Sequence, residues 1–182
     1  MKLRINDIKD KELSLVAEEP VSGYPILTAM ESAGECRFLA PLRMHLTAVR
    51  EYGHFRVHGT VSTDVGLTCS RCLAGFSSEI TSGFTIFYLP GAVTPLDEEV
   101  ELSEEDLVSV PFEGDEIDLA PEIAEQIGME IPYKPLCSEE CKGLCASCGT
   151  DLNNGECACS HGKTSLKFSA LNNFKLKNIK EK

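Results

Sequence analysis

Residues 137 to 149 read Cys137-Ser138-Glu139-Glu140-Cys141-Lys142-Gly143-Leu144-Cys145-Ala146-Ser147-Cys148-Gly149, and residues 157 to 159 read Cys157-Ala158-Cys159. This segment holds six of the nine cysteines of a 182-residue chain. Between positions 137 and 161 the only leucines are Leu144 and Leu152, so the segment cannot build a hydrophobic core of its own. We therefore expect bound metal, and not apolar packing, to give it a defined structure.

A second pair of cysteines lies far upstream, in Cys69-Ser70-Arg71-Cys72. A spacing of two residues between cysteines lets a tight turn aim both sulfurs at one ion. Gly149, which follows the pair Cys145 and Cys148, allows a positive φ from which backbone N–H groups can point at the thiolates. Cys157 and Cys159 project to the same side of an extended segment. These spacings are typical of structural zinc sites.

Eight of the nine cysteines suffice for two four-cysteine sites. The preferred assignment places Cys69, Cys72, Cys137 and Cys141 in one site and Cys145, Cys148, Cys157 and Cys159 in the other. A rival pairing joins Cys137 and Cys141 to Cys145 and Cys148, and His161 could replace Cys159. The sequence predicts Zn²⁺, as one ion or two. Cys36 lies outside both sites and is expected to be inert.

Other chemistry is conceivable for some of these residues. Cys69-x-x-Cys72 could be a thioredoxin-like redox pair, but that motif favours a strand-to-helix context, and this region has a β-strand pattern. His54 and His58 could hold a metal in a hydrolase, which needs an open coordination position. On a strand beside Arg56 they are more typical of surface residues. We expect no enzymatic activity, because no nucleophile elbow, phosphate-binding loop or His-Glu-x-x-His motif is present in the sequence.

The composition indicates a folded protein of a reducing compartment. Hydrophobic residues make up 42% of the chain, and no stretch approaches the ~20 apolar residues of a membrane helix. The first residues are charged and lack the apolar segment of a signal peptide. We therefore expect a cytoplasmic location, where dense cysteines indicate metal binding more than disulfides. No membrane or small-molecule partner is expected.

The net charge of -12 is distributed unevenly. The positive and negative charges of residues 1 to 72 balance. Residues 73 to 133 contain fifteen Asp and Glu and no Lys or Arg, and residues 134 to 182 have a net charge of +3. The central acidic block should repel nucleic acid and suits a basic protein partner, although it could simply aid solubility. RNA contact would instead use a basic face of Arg43, His45, Arg50 and Arg56, or the lysine-rich tail.

The first ninety residues show the period-two alternation of β-strands. Leu42, Met44, Leu46 and Ala48 share one face of an extended segment, and Phe55, Val57, Gly59 and Val61 share the face of the next. Further strands are predicted around 13–17, 78–89 and 107–110, with a loop over 90–106 and a turn at 113–115. The expected fold class is α+β, mainly an antiparallel β meander with one helix and a C-terminal zinc-binding cysteine module.

The single expected helix runs from about Asp118 to Glu130. Asp118 is a plausible N-cap, Pro121 fits only the first turn, and Leu119, Ile123 and Ile127 form an apolar stripe for the core. The predicted organisation is a β-rich domain over 1–136 with an acidic loop and the helix, a zinc-binding cysteine module over 137–161, and a lysine-rich tail over 162–182.

The cysteine segments resemble the YceD family of bacterial and plastid proteins. The matching blocks are Leu67-Thr68-Cys69-Ser70-Arg71-Cys72-Leu73, Glu116-Ile117-Asp118-Leu119, Pro135-Leu136-Cys137, Cys141-Lys142-Gly143-Leu144-Cys145, Cys148-Gly149, Asp151-Leu152-Asn153 and Cys157-x-Cys159. The resemblance covers about residues 60 to 160. The chain departs from the family's pattern at its end, where Leu166, Phe168, Leu171, Phe174 and Leu176 lie among lysines.

The resemblance implies a role in accumulation of large-subunit ribosomal RNA. From it we expect a non-enzymatic zinc-binding factor for large ribosomal subunit biogenesis, with ribosomal RNA or a basic ribosomal protein as partner. Some relatives keep the upstream Cys-x-x-Cys but lose much of the downstream cluster, which implies two separable sites. The alternative function is a thiol-based redox or zinc-sensing regulator, whose thiolates would be reactive and whose metal would be lost under mild oxidant.

Overall fold

A twisted β-sheet forms the body of the protein. The computed structural model describes residues 1–8, 12–91 and 109–159. The strands are β1 (Lys2–Arg4), β2 (Leu13–Glu19), β3 (Arg37–Phe38), β4 (Leu42–Arg50), β5 (Phe55–Thr68), β6 (Gly75–Pro90), β7 (Ser109–Phe112) and β8 (Glu116–Asp118). The helices are α1 (Pro25–Ser32) and α2 (Ala120–Glu130), and 3-10 turns occupy Ile5–Asp7 and Val21–Gly23.

Six of these strands make one sheet, in the order β2-β4-β5-β6-β7, with β3 paired to β5 beyond the end of β4. Pairing along β2, β4, β5 and β6 is antiparallel, which confirms the predicted meander. At the edge of this mainly antiparallel sheet, β7 pairs with β6 in parallel, a pairing that the alternation did not predict. A parallel pair needs a long return connection, and residues 91–108 supply one. Strands β1 and β8 form a separate antiparallel pair.

One face of the sheet is buried, as the alternation predicts. Leu42, Met44, Leu46 and Ala48 of β4 are all at most 2% exposed. Their neighbours on β5 and β6 continue the same layer, which consists of Phe55, Val57, Val61, Val65, Leu67, Ile80, Ile86 and Tyr88. Period-two strands give one apolar face, and helix α2 packs over it against β5 and β6.

Helix α2 uses the predicted apolar stripe. Ile123 and Ile127 are at most 1% exposed and Leu119 is 2% exposed, and Pro121 lies in the first turn. The helix begins at Ala120 and not at Asp118, so the predicted N-cap is wrong: Leu119 occupies that position. Asp118 lies in β8, and its Oδ1 accepts a hydrogen bond from Ala120 N at 3.0 Å.

The described residues contain a second α-helix, so the expectation of a single helix is wrong. Helix α1 has only eight residues and buries Leu27, with Tyr24 fully buried at its start. Pro25 opens the helix, and Gly34, at φ 77°, follows its end. Proline at the start and glycine just past the end are helix boundary signals. These signals did not reveal the helix, because two turns are too short to display a clear period of apolar residues.

Strands β5 and β6 form a long hairpin that carries the first cysteine pair. They pair continuously from Phe55 opposite Tyr88 to Thr68 opposite Gly75. Strand β4 covers β5 only as far as Ser62, so the far end of the hairpin extends beyond β4. At ~3.3 Å per residue, the 14 residues of β5 span roughly 46 Å. The six-residue loop at the end of this arm contains Cys69 and Cys72.

Several predictions concern residues outside the described ranges. These are most of the 90–106 loop, the first half of the 107–110 strand, His161 and the lysine-rich tail. The described part of that strand continues to Phe112, and the turn at 113–115 contains Gly114 at φ 84°. The division into units ending at 136 and 161 stays a prediction. Within residues 1–8, 12–91 and 109–159, no helix is long and apolar enough to span a membrane.

Candidate metal centres

Eight cysteines converge in two separate groups of four. Site 1 consists of Cys69, Cys72, Cys137 and Cys141, and site 2 of Cys145, Cys148, Cys157 and Cys159. Within each site all four sulfurs lie within 4.8 Å of one another. The structure therefore groups the sulfurs as in the preferred assignment and does not bring together the four sulfurs of the rival pairing, Cys137, Cys141, Cys145 and Cys148. Cys36 is buried in the core outside both sites, and burial raises the pKa of its thiol.

The sulfur separations in site 1 match a tetrahedral metal. The Cys69 and Cys141 sulfurs are 3.7 Å apart, and the Cys72 and Cys137 sulfurs are 3.6 Å apart. Four Zn–S bonds of ~2.3 Å at tetrahedral angles put the sulfurs about 3.8 Å apart. A disulfide needs about 2.05 Å. Site 1 thus has the dimensions of a mononuclear four-thiolate centre.

The first turn of each site uses the same hydrogen-bond pattern. In site 1, Leu73 N donates to Cys69 O at 3.0 Å, and Arg71 N lies 3.5 Å from Cys69 Sγ. In site 2, Gly149 N donates to Cys145 O at 2.9 Å, and Ser147 N lies 3.4 Å from Cys145 Sγ. Backbone N–H groups directed at a thiolate stabilise its negative charge and orient the ligand.

Leu73 occupies the position that glycine holds in site 2. Its φ is 60°, close to the 74° of Gly149, and it is the one non-glycine residue with positive φ in the described part of the chain. A left-handed conformation costs an L-residue roughly 1–2 kcal/mol. The turn of site 1 keeps this conformation in spite of the side chain, which projects into solvent with 65% exposed.

Residues 135–144 are attached to the tip of the β5–β6 hairpin by backbone hydrogen bonds. Ser70 N donates to Pro135 O at 2.8 Å, and Leu144 N donates to Arg71 O at 3.1 Å. The Arg71 guanidinium donates to Cys141 O at 2.9 Å and to Glu139 O at 3.2 Å. A cation is thereby placed beside a centre whose four thiolates would leave a net charge of -2 on a divalent metal.

Site 1 is the more enclosed of the two. Cys69, Cys72 and Cys141 are 0%, 7% and 3% exposed and form a small core with partly buried Phe76, Leu136 and Leu144, while Cys137 is exposed. In site 2 only Cys145 is buried; Cys148 is exposed, and Cys157 and Cys159 are half-buried. Site 2 follows directly in the chain, through a bridge between Leu144 and Asp151 and a bond from Leu152 N to Gly143 O.

Each site contains thiols whose pKa is lowered and thiols whose pKa is raised from the ordinary value. Backbone N–H groups of its own turn lower the pKa of Cys69 to about 6, and the Thr150 hydroxyl lowers the pKa of Cys148 to about 6. The neighbouring thiols raise the pKa of Cys137 and of Cys159 to about 12. Four negative charges cannot be held this close without a counter-charge. A metal cation would supply that charge and would have to displace the remaining protons as it bound.

His54 and His58, the two histidines considered as metal ligands of a hydrolase, lie outside both sites. His54 Nε2 is 2.8 Å from Glu51 Oε2, and His58 Nδ1 is 3.1 Å from Arg56 Nη1. Each ring is thus engaged by a charged neighbour on the sheet surface. The hydrolase alternative gains no support from this arrangement.

The basic face predicted from the sequence is not one surface. Arg43 pairs with Ser62 and Arg56 with Val49, which puts both side chains on the outer face of the sheet, whereas Arg50 pairs with buried Phe55 and lies over its ring. The two outer arginines also have acidic partners. Their ion pairs are Arg43 with Asp64 at 3.2 Å and Glu79 at 3.0 Å, and Arg56 with Glu51 at 2.8 Å.

Sequence reasoning missed the polar residues that support the sulfurs. Thr150 Oγ1 lies 3.2 Å from Cys148 Sγ, and Asn153 Nδ2 lies 3.4 Å from Cys141 Sγ. The backbone N–H of Lys142 in turn donates to Asn153 Oδ1 at 2.7 Å. The spacing of cysteines identifies ligands, but it carries no signal for residues that bond to those ligands.

Comparison with known proteins gives relatives of two kinds. Large ribosomal RNA subunit accumulation protein YCED homolog 1, chloroplastic, of Arabidopsis thaliana is 26% identical over 156 residues, covering 74% of this chain and 49% of that protein. Its Zea mays counterpart of the same name is 25% identical over 142 residues, covering 65% and 48%. An uncharacterized protein of Mycobacterium leprae is 32% identical over 114 residues, covering 62% and 50%. The chain spans about half the length of these relatives.

A search of solved structures finds no match. The family model described as "Large ribosomal RNA subunit accumulation protein YceD" matches residues 57–175, which is more than half of the chain and includes all eight cysteines of sites 1 and 2. The chain therefore belongs to the YceD family.

Proposed function

We propose that this protein is a zinc-stabilised, non-catalytic factor that supports accumulation of large-subunit ribosomal RNA, and thereby formation of the large ribosomal subunit. The family match over residues 57–175 carries the proposal, because the matched region is the one that sites 1 and 2 hold together. The names of the Arabidopsis and maize relatives, large ribosomal RNA subunit accumulation proteins, agree with it. We place the role in the cytoplasm, where thiols stay reduced and available for metal.

The donor chemistry supports zinc and a structural role. Four thiolates in a tetrahedral arrangement are typical of zinc or of iron–sulfur centres. The separations of 3.6 and 3.7 Å in site 1 suit a single ion. A site closed by four protein ligands leaves no coordination position for substrate or water, whereas catalytic zinc keeps one open. Zinc would thus fasten residues 135–159 to the end of the β5–β6 hairpin.

The role in ribosomal RNA is tested by complementation. Cells lacking the protein are expected to show a lower ratio of large-subunit to small-subunit ribosomal RNA. The wild-type chain and Cys36→Ser should restore the ratio, since Cys36 lies outside both sites, and Cys69→Ser should not, because it removes a buried ligand of site 1. An unchanged ratio in cells without the protein would refute the function. Full rescue by Cys69→Ser would show that the function does not require metal at site 1.

The charges favour a basic ribosomal protein over RNA as the direct partner. Of the fifteen acidic residues between positions 73 and 133, the described ones are Glu79, Glu113, Asp115, Glu116, Asp118, Glu122, Glu125 and Glu130, and all but Glu122 are exposed. The two arginines of the outer sheet face are meanwhile neutralised by carboxylates. A surface of this kind repels phosphates and attracts basic protein segments.

Cross-linking in cells tests this partner. Wild-type protein is expected to cross-link to a ribosomal protein, and the yield should fall at least about threefold in Glu125→Gln/Glu130→Gln, because opposite charge accelerates encounter. Glu12→Gln/Glu18→Gln is the matched control, with the same charge change at exposed positions outside the acidic block. Cross-links to RNA alone, with equal yield in both variants, would reverse the choice of partner.

The thiol-based sensing alternative is favoured by one observation at site 2. Three of its four cysteines are exposed or half-buried, so an oxidant could reach them, whereas three ligands of site 1 are buried. Selective loss of metal from site 2 under mild peroxide would support this alternative. Retention of metal at both sites would count against sensing and leave the structural role as the sole one of the two.

A further inference from the structure

Asn153 belongs to the loop of site 2 but contacts a ligand of site 1. It lies between Cys148 and Cys157 in the chain, and its side-chain Nδ2 is 3.4 Å from Cys141 Sγ. Cys141 is 3% exposed, whereas Asn153 itself is exposed, so the amide contacts a buried sulfur from the protein surface. The amide thus spans the boundary between the two sites.

Three further hydrogen bonds fix the orientation of the Asn153 amide. Its Oδ1 accepts from Lys142 N at 2.7 Å, its Nδ2 donates to Asp151 Oδ1 at 2.8 Å, and its backbone N donates to the same oxygen at 2.9 Å. Asp151 also accepts from Asn154 Nδ2, through its other oxygen, at 2.9 Å. An amide held at both ends keeps its N–H directed at the sulfur without a further loss of side-chain entropy.

The position of this loop depends on site 2. Its two ends are Cys148 and Cys157, whose sulfurs belong to one group within 4.8 Å. Cys145 N donates to Thr150 O at 2.8 Å, and Asp151 forms the bridge with Leu144. A metal that joins the four sulfurs of site 2 closes the loop and sets the place of Asp151, and with it the place of Asn153.

We propose that Asn153 is a positioning residue that couples the two centres, so that metal bound at site 2 tightens the hold of site 1 on its own metal. The N–H bond to Cys141 Sγ stabilises thiolate charge at a centre that would have net charge -2, and closure of the site 2 loop holds its donor in place. This proposal rests on the metal sites of the proposed function and adds a reciprocal coupling between them.

The side-chain test compares two neighbouring asparagines. Asn153→Asp keeps an oxygen for Lys142 N but replaces the N–H donor with a like charge beside Cys141, and site 1 should lose roughly tenfold in metal affinity. Asn154→Asp is the matched control, since it makes the same charge change and also removes a hydrogen bond to Asp151. Unlike Asn153, the Asn154 side chain donates to a carboxylate and not to a sulfur. Cadmium-loaded protein gives a separate NMR resonance for each site, assigned with Cys69→Ser and Cys159→Ser.

Chelator competition on the same cadmium-loaded samples measures the affinity of each site. The site 1 resonance should shift and be lost earlier in Asn153→Asp and stay unchanged in Asn154→Asp. Cys159→Ser, which disables site 2, should weaken site 1 about as much as Asn153→Asp, and the double variant should be no weaker. Equal site 1 affinity in all variants would overturn the coupling while leaving the metal sites intact. Absence of cadmium from both sites would refute the metal role itself.

Discussion

Serine at position 69 is expected to empty site 1 and to lower the melting temperature by at least about 10 °C. Cys69 is fully buried, and among the described residues its group contains only the three other cysteines of site 1. Structural zinc contributes on the order of 10 kcal/mol to small modules, and a loss of even about 4 kcal/mol shifts melting by this amount in a chain of this size. Elemental analysis should find one metal ion per chain in place of two, and calorimetry gives the temperature.

Two other cysteine variants complete this experiment. Cys148→Ser should also lose one ion but destabilise less, because Cys148 is exposed and site 1, although it binds its metal more weakly, stays occupied. Cys36→Ser should retain both ions, since Cys36 belongs to neither site. If Cys69→Ser still carried two ions, or if the wild-type chain carried none, the assignment of ligands would be wrong.

Alanine at position 143 should destabilise the protein far more than alanine at position 149. Both glycines have φ near 75°, so each alanine incurs the roughly 1–2 kcal/mol cost of a left-handed residue. At Gly143 the added Cβ would also lie 3.0 Å from Arg71 O and 3.2 Å from Arg71 Cβ, whereas at Gly149 nothing lies within 4 Å. Overpacking of this kind typically costs a further ~1–3 kcal/mol.

The Arg71 carbonyl cannot simply move away, because it accepts the bond from Leu144 N that holds residues 135–144 to the hairpin. Gly143→Ala should therefore also weaken metal binding at site 1, which Gly149→Ala should not affect. Urea unfolding in a metal buffer measures the first effect and chelator competition the second. Equal loss of stability in the two variants would show that a Cβ at position 143 does not clash with Arg71.

The candidate sites were largely predictable because ligand spacing is a local property of the chain. Cys145-x-x-Cys148 followed by glycine predicts a turn with converging sulfurs, and the structure has that turn. The alternation over 42–48 and 55–61 predicts a sheet with one buried face, since a strand has a side-chain period of two. The helix stripe of Leu119, Ile123 and Ile127 follows from the same kind of argument.

Other features depend on contacts between distant residues, which no local pattern reports. The parallel pairing of β7 with β6 joins strands that are separated by eighteen residues in the chain. The opposite facing of Arg43 and Arg50, by contrast, follows from the period of two within β4 and was predictable. Asn153 reaches Cys141 across eleven intervening residues. Helix α1 was missed for a different reason, because eight residues give too few apolar positions to reveal a period.

The spacing of ligands along the chain also sets an order of assembly. Cys148 and Cys157 are nine positions apart, while Cys72 and Cys137 are separated by 65. The logarithmic dependence of loop-closure entropy on length makes the longer loop about 2 kcal/mol more costly to close from an unfolded chain. Site 2 can thus close on a metal while the rest of the chain is still unfolded, whereas site 1 must wait until the β5–β6 hairpin has formed. Capture of the second metal would then mark the completion of folding.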